Sequence, residues 1–183
     1  MEEAFRWIKK PFTPVRRTGG NLAGADLIVE DQRVSLKTET GLGTNPEFIS
    51  ITKLCTTERD PGEIESLIER VMKHLNGYDM ILMLRAVWAR PLIHYQLLEI
   101  SVNMLRLLGE AKLLAVGRRT TRGSFGADVY HGEEKVFHVH FDGSDGKCQV
   151  NRLRVRHCVM LLEWDVAISE PYSHLSDLRK TNQ

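Results

Sequence analysis

A mixed α/β domain, with a central mixed sheet flanked by helices, is the fold class this sequence predicts, and three observations predict it. Two short β-branched runs, residues 27–29 and 34–39, stand on either side of a polar break, as in a hairpin. Ile64, Leu67, Ile68, Val71, Met72 and Leu75 recur at helical spacing, which marks one buried helix face. Residues 80–88 are apolar except for Arg85, which suits a strand covered on both faces of a mixed sheet.

Taken in order, residues 2–9 read as a short amphipathic helix with Ala4, Phe5, Trp7 and Ile8 as its apolar members, ended by Pro11 and Pro14. Arg16 and Arg17 then lie in a basic loop that leads through Gly19 and Gly20 to Gly24, Ala25 and Asp26. Asp26 opens the first strand, Glu30, Asp31, Gln32 and Arg33 form the turn, and the second strand carries Ser35, Leu36, Lys37, Thr38 and Glu39. Side chains alternate across a strand, so Ser35, Lys37 and Glu39 share one face and Leu36 and Thr38 the other. A lysine inside a strand is unusual.

Residues 41–46 form a loop, and 47–51 a further short strand or turn. The helix of the apolar stripe starts at Asp60, with Pro61 in its first turn and Glu63 three residues on, and stops at Asn76-Gly77. After the apolar strand, Pro91 introduces a second one over residues 92–100, and residues 105–114 read as a short helix ending near Gly117. Arg118, Arg119 and Arg122 form a basic loop. Residues 136–141 then alternate strictly, residues 142–146 turn, and the chain returns through residues 148–155. On the returning strand Arg152, Arg154 and Arg156 are predicted to share a face, a stripe that suits phosphate contacts, with one bidentate arginine free to read guanine. His138 and His140 also share a face near Cys148, His157 and Cys158, but no paired zinc-ligand spacing is present.

The acid-led strand followed by a strand with Ser35-Leu36-Lys37 resembles the active-site hairpin of the PD-(D/E)xK nucleases, the superfamily of many type II restriction endonucleases. The preceding helix and basic loop extend the likeness. In that resemblance Asp26 corresponds to the first acid, Lys37 to the lysine, and Leu36 to a residue whose carbonyl ligates metal. Ser35 stands where the family usually has Glu or Asp. The resemblance implies a Mg²⁺ site at Asp26 and Leu36, with Asp26, Ser35 and Lys37 at the catalytic positions. A second carboxylate would come from Glu39, first by virtue of its shared face with Lys37, or from Glu47, Glu2 or Glu3. Hydrolysis of a phosphodiester needs a water activated at neutral pH and stabilisation of added negative charge, and a carboxylate-held metal with a lysine supplies both.

The implied activity is Mg²⁺-dependent, sequence-specific cleavage of double-stranded DNA leaving a 5′-phosphate. A structure-specific junction nuclease with the same core and an inactive DNA-binding relative are the alternatives. Arg16, Arg17, Arg118, Arg119, Arg122, Arg152, Arg154 and Arg156 are the candidate DNA contacts. A palindromic target makes a two-fold homodimer the economical assembly. At 183 residues the chain reads as one domain, in which residues 1–117 hold the core, 118–170 a recognition extension and 171–183 a polar tail. No apolar run reaches membrane length, and three cysteines in no framework fit a reducing cytoplasm. A formal net charge of +1 excludes a strongly basic, nonspecific binder.

Overall fold

The computed structural model describes residues 12–14, 25–56, 64–116, 124–143 and 146–168. The predicted first helix with Glu2 and Glu3, the basic loops holding Arg16, Arg17, Arg118, Arg119 and Arg122, the Asp60 helix cap and the polar tail lie outside these residues.

The hairpin forms where the alternation places it. Strand β2 (Leu27–Val29) pairs antiparallel with β3 (Gln32–Glu39), with Leu27 opposite Val34 and Val29 opposite Gln32. The turn is shorter than predicted. Glu30 and Asp31 alone make it, at φ 49° and 65°, the left-handed pair that matches the twist of a two-residue hairpin. Gln32 and Arg33 therefore belong to the strand. A short strand β1 (Phe12–Pro14) pairs with the outer edge of β2.

Strand β3 runs parallel to β5 (Met80–Ala89), and parallel neighbours require a long crossover. Here the crossover contains β4 (Phe48–Thr56) and helix α1 (Ile64–Leu75). Strand β5 is covered on both faces as its composition predicts, with Ile81 and Met83 in the main core and Leu82 packed with Leu27 and Val34 in a small second cluster. It forms a hairpin with β6 (Leu92–Ile100). Leu67, Val71 and Leu75 of α1 are buried in the main core, the stripe read from the sequence.

Two sheets result. The first is mixed and has strand order β1-β2-β3-β5-β6-β11, ending in β11 (Val159–Ala167). The second is antiparallel and has order β4-β10-β9-β8-β7, built from β7 (Leu114–Val116), β8 (Ser124–His131), β9 (Glu134–Phe141), β10 (Lys147–Arg154) and β4. Ile49 and Ile51 of β4, Val139 of β9 and Val150 of β10 join Ile81 and Leu98 of the first sheet in one core. The fold is mixed α/β, as predicted, but it is richer in strand and poorer in helix than a sheet flanked by helices.

Three local predictions need correction. Residues 48–51 open a nine-residue strand, longer than predicted, that belongs to the second sheet and pairs with β10. The helix predicted over residues 105–114 is instead α2 (Val102–Arg106), capped by the Ser101 hydroxyl, then a 3-10 turn (Leu107–Glu110) and the strand β7. The arginine stripe is broken, because Arg152 has φ 56° at a register shift of β10 and Arg156 lies in a 3-10 turn (Val155–His157) beyond the strand end. A residue added to one strand of a pair flips the faces that follow it.

Parallel register aligns Glu39 of β3 with Arg85 of β5, and antiparallel register aligns Arg85 with Gln96 of β6. The result is a polar row across three strands. Arg85 is fully buried, and its Nε donates to Glu39 Oε2 at 2.7 Å and its Nη1 to Gln96 Oε1 at 2.8 Å. Its Nη2 donates to the carbonyls of Asn45 and Phe48, the latter at 2.9 Å. The remaining Glu39 oxygen accepts the Ser50 amide at 3.1 Å. The row therefore fastens the start of β4, and with it the second sheet, to the first.

Nearby, Arg33 donates its amide and its Nε to Asp79 Oδ2 and its Nη2 to Asp79 Oδ1, at 2.8–3.0 Å. These bonds hold Asp79 down to about 2 from its ordinary 3.8. A depressed carboxylate stabilises the fold fully above its ordinary value and loses that contribution as pH falls toward the folded one. Asp79→Asn should therefore flatten the loss of stability between pH 3.8 and about 2, as followed by chemical denaturation across that range. Arg85→Ala, which strands Glu39 and two carbonyls, should lower unfolding free energy by about 3–5 kcal/mol. Arg85→Met combined with Glu39→Leu should lose less than that, measured in the same urea titrations.

Candidate active site

Asp26 sits just before β2 and joins the hairpin through its backbone, its amide donating to the Val34 carbonyl at 2.8 Å. Cross-strand alternation then sets its side chain beside Ser35 and Leu36. Oδ2 accepts the Leu36 amide at 2.7 Å and the Ser35 hydroxyl at 3.2 Å. Among the described residues no hydrogen bond engages Oδ1, and the Asp26 side chain is exposed. Since the amide and carbonyl of one strand residue lie on the same edge, the Leu36 carbonyl also faces the Asp26 side of β3, away from β5. One carboxylate oxygen and one backbone oxygen thus open toward the same edge.

Ser35 is buried and donates to Asp26. At the position where the resembled family has an acid, this chain has a group that steadies the first acid. Lys37 aligns with Met83 of β5, which in turn aligns with Leu98 of β6, so its neighbours in the row are apolar. Burial, the largest influence, lowers the proton affinity of Lys37, while the charges of Asp26 and Cys55 raise it and that of Lys53 lowers it again. An amine with reduced proton affinity is better suited to exchanging a proton with water than an ordinary lysine.

Glu39 shares the face of Ser35 and Lys37, as alternation predicts, but both of its oxygens are taken, one by Arg85 and one by the Ser50 amide. Glu47 is exposed at the start of β4. Among the described residues no three His, Cys, Asp or Glu side chains come together as a metal cluster. A divalent cation with mainly oxygen ligands needs only one or two carboxylates when phosphate and water complete its shell. Asp26 Oδ1 and the Leu36 carbonyl fit that more modest requirement.

Beside Lys37, Cys55 of β4 lies opposite Cys148 of β10. The Cys148 thiol donates to the Cys55 sulfur, which with the Lys37 charge outweighs burial and pulls the Cys55 thiol down. That hydrogen bond and burial push Cys148 well up. Burial pushes the third thiol, Cys158, up to about 12. His138 Nδ1 is within 2.7 Å of an Asp128 oxygen that also meets Lys135.

The candidate DNA contacts among the described residues separate in space. Arg152 is exposed at the β10 bulge. The Arg154 guanidinium lies 5.4 Å from the centre of the Phe48 ring, a cation–π contact. Arg156 pairs with Glu134. Two residues that pattern reading passed over are Arg85, whose signal was a lone charge inside an apolar run, and Lys53, whose position depends on an irregular stretch of β4.

Comparison with known proteins adds one sequence relationship. The type II restriction enzyme SmaI of Serratia marcescens is 28% identical to this chain over 152 residues, which cover 81% of this chain and 62% of that protein. The chain thus spans about three fifths of the length of the relative it matches. No protein-family model matches the chain, and no solved structure does. Among the described residues no helix is long and apolar enough to cross a membrane.

Proposed function

We propose that this chain is the core of a Mg²⁺-dependent endonuclease of the type II restriction kind, which hydrolyses double-stranded DNA at a defined sequence and leaves 5′-phosphates. The observation that carries the reading is the Asp26 carboxylate, held by Ser35 and Leu36 at one oxygen with the other open, beside the half-buried Lys37. The similarity to a restriction enzyme over 152 residues supports it, as does the resemblance of the hairpin to the PD-(D/E)xK pattern.

In this reading Asp26 and the Leu36 carbonyl hold the cation. Mg²⁺ bound there would lower the pKa of water and neutralise charge on the phosphate. Ser35 keeps Asp26 in one rotamer, so its open oxygen is presented without reorganisation. Lys37 orients the attacking water and offsets the negative charge that develops on the phosphate. Glu39, foremost among the expected second carboxylates, braces Arg85 instead and stays out of the ligand shell. Arg152 and Arg154, with the loops that hold Arg16, Arg17, Arg118, Arg119 and Arg122, contact the duplex. Arg156 joins them only by exchanging Glu134 for phosphate.

Ser35 also motivates a second reading, a DNA-binding relative that does not cut. The two separate when the protein is incubated with Mg²⁺ and a plasmid of diverse sequence. Discrete fragments are expected, and Asp26→Asn and Lys37→Ala should each slow cleavage about a hundredfold or more while duplex binding persists. Binding without cleavage would favour the inactive relative, and cutting confined to branched DNA the junction nuclease. Robust cleavage by Lys37→Ala would refute the assigned site.

The reading includes a two-fold homodimer in the reducing cytoplasm, formed through β11. Among the described residues that strand pairs only on its β6 side, and it leaves Val159, Leu161 and Leu162 about half exposed (58%, 47% and 55%). An edge strand with exposed apolar side chains is a template for strand pairing, and a second copy satisfies the symmetry of a palindromic site. Leu162→Lys should weaken self-association about tenfold or more, given about 1.5–3 kcal/mol for a buried leucine, in sedimentation velocity. A wild-type chain that is monomeric at every accessible concentration would remove the dimer from this reading.

A further inference from the structure

Strand β4 crosses the inner face of β3, with Ser50 at Glu39 and Cys55 at Lys37. Its pairing with β10 is irregular between these points. Cys148 aligns with Cys55 and Val150 with Ile51, so β4 fits Thr52, Lys53 and Leu54 into a span where β10 has only Gln149. Extra residues in one strand bulge it outward and re-aim a side chain, a device found often beside active sites. Leu54 is buried in the core, whereas Thr52 and Lys53 are exposed. The bulge therefore turns a lysine outward within two residues of the cysteine that touches the Lys37 environment. The Lys53 charge is close enough to oppose that of Lys37. Two ammonium groups so near each other, with Asp26 beside them, form a setting in which a phosphodiester relieves repulsion.

We propose that Lys53 is a second cationic residue of the site, contacting a DNA phosphate at or next to the scissile one while Lys37 handles the water. The assignment rests on the nuclease reading above and deepens it. Lys53 brings positive charge from the second sheet, so the phosphate would be gripped from both sheets, by Asp26-bound metal and Lys37 on one and Lys53 on the other.

The test measures duplex DNA binding without divalent metal across a series of salt concentrations, together with single-turnover cleavage in Mg²⁺. Lys53→Ala should reduce the slope of log affinity against log salt by about one phosphate contact, and should slow cleavage about tenfold. Lys53→Arg should restore the slope, and Lys112→Ala, at an exposed lysine between the 3-10 turn that follows α2 and strand β7, should leave it unchanged. An undiminished slope in Lys53→Ala overturns the proposal whatever happens to the rate, as does an equal drop in Lys112→Ala. A wild-type chain that binds duplex but never cuts would fail the nuclease reading while the slope still decides Lys53. A wild-type chain that neither binds nor cuts overturns both.

Discussion

The buried guanidinium of Arg85 is the constraint on which the rest of the molecule depends. A charge taken fully out of water must find a counter-charge and a partner for every donor, or it costs several kcal/mol. Here the partners come from the two strands that flank β5 and from the backbone that begins β4. Satisfying Arg85 therefore fixes the register of β3 against β5 and of β5 against β6, and the point where the chain departs for the second sheet. The next row along, Lys37–Met83–Leu98, inherits that register. The half-buried lysine thus lies in the row beside that of the wholly buried arginine.

Ser35, which stands where the resembled pattern has an acid, acquires a physical meaning in this setting. A second carboxylate at Ser35 would stand in a buried position against Asp26, and two like charges at that distance raise one another's proton affinity. A hydroxyl there donates instead. It leaves Asp26 turned by two hydrogen bonds and open at one oxygen. Glu39 is on the proper face but faces a stronger claim from Arg85, which no pattern of alternation reveals.

How much was legible in the sequence follows from which forces are local. The hairpin, helix α1 and the β5–β6 pair were readable because alternation, helical period and apolar run length are properties of short segments. Asp26, Ser35 and Lys37 come together because the hairpin itself brings them together. Residues 105–114 were misread because their leucines fit a helical period, while the Ser101 cap starts the helix earlier and a 3-10 turn ends it at Glu110. The arginine row of β10 failed on the left-handed residue Arg152, since one bulge inverts a period of two, and on the 3-10 turn that takes up Arg156. The role of Glu39, the departure of β4 and the pairing of β11 depend on partners distant in sequence and free of any local signal: Arg85 for Glu39, 46 residues away, Arg154 for Phe48, and Trp164 for Tyr95.

 

The order in which strands join the two sheets has a consequence for how the molecule assembles. Strand β4, from the first half of the chain, is an edge of the second sheet, and β11, made after the whole second sheet, is an edge of the first. Each sheet is thus closed by a strand borrowed from the other's stretch of chain. Contacts between such distant segments carry a loop-closure cost before they return any stabilisation, so they form late. The hairpin bearing Asp26 and Lys37 can form early and locally, but the surface laid over it by β4 arrives only when β10 is there to receive that strand. A half-made chain would hold the acid and the lysine without the wall that gives them their environment.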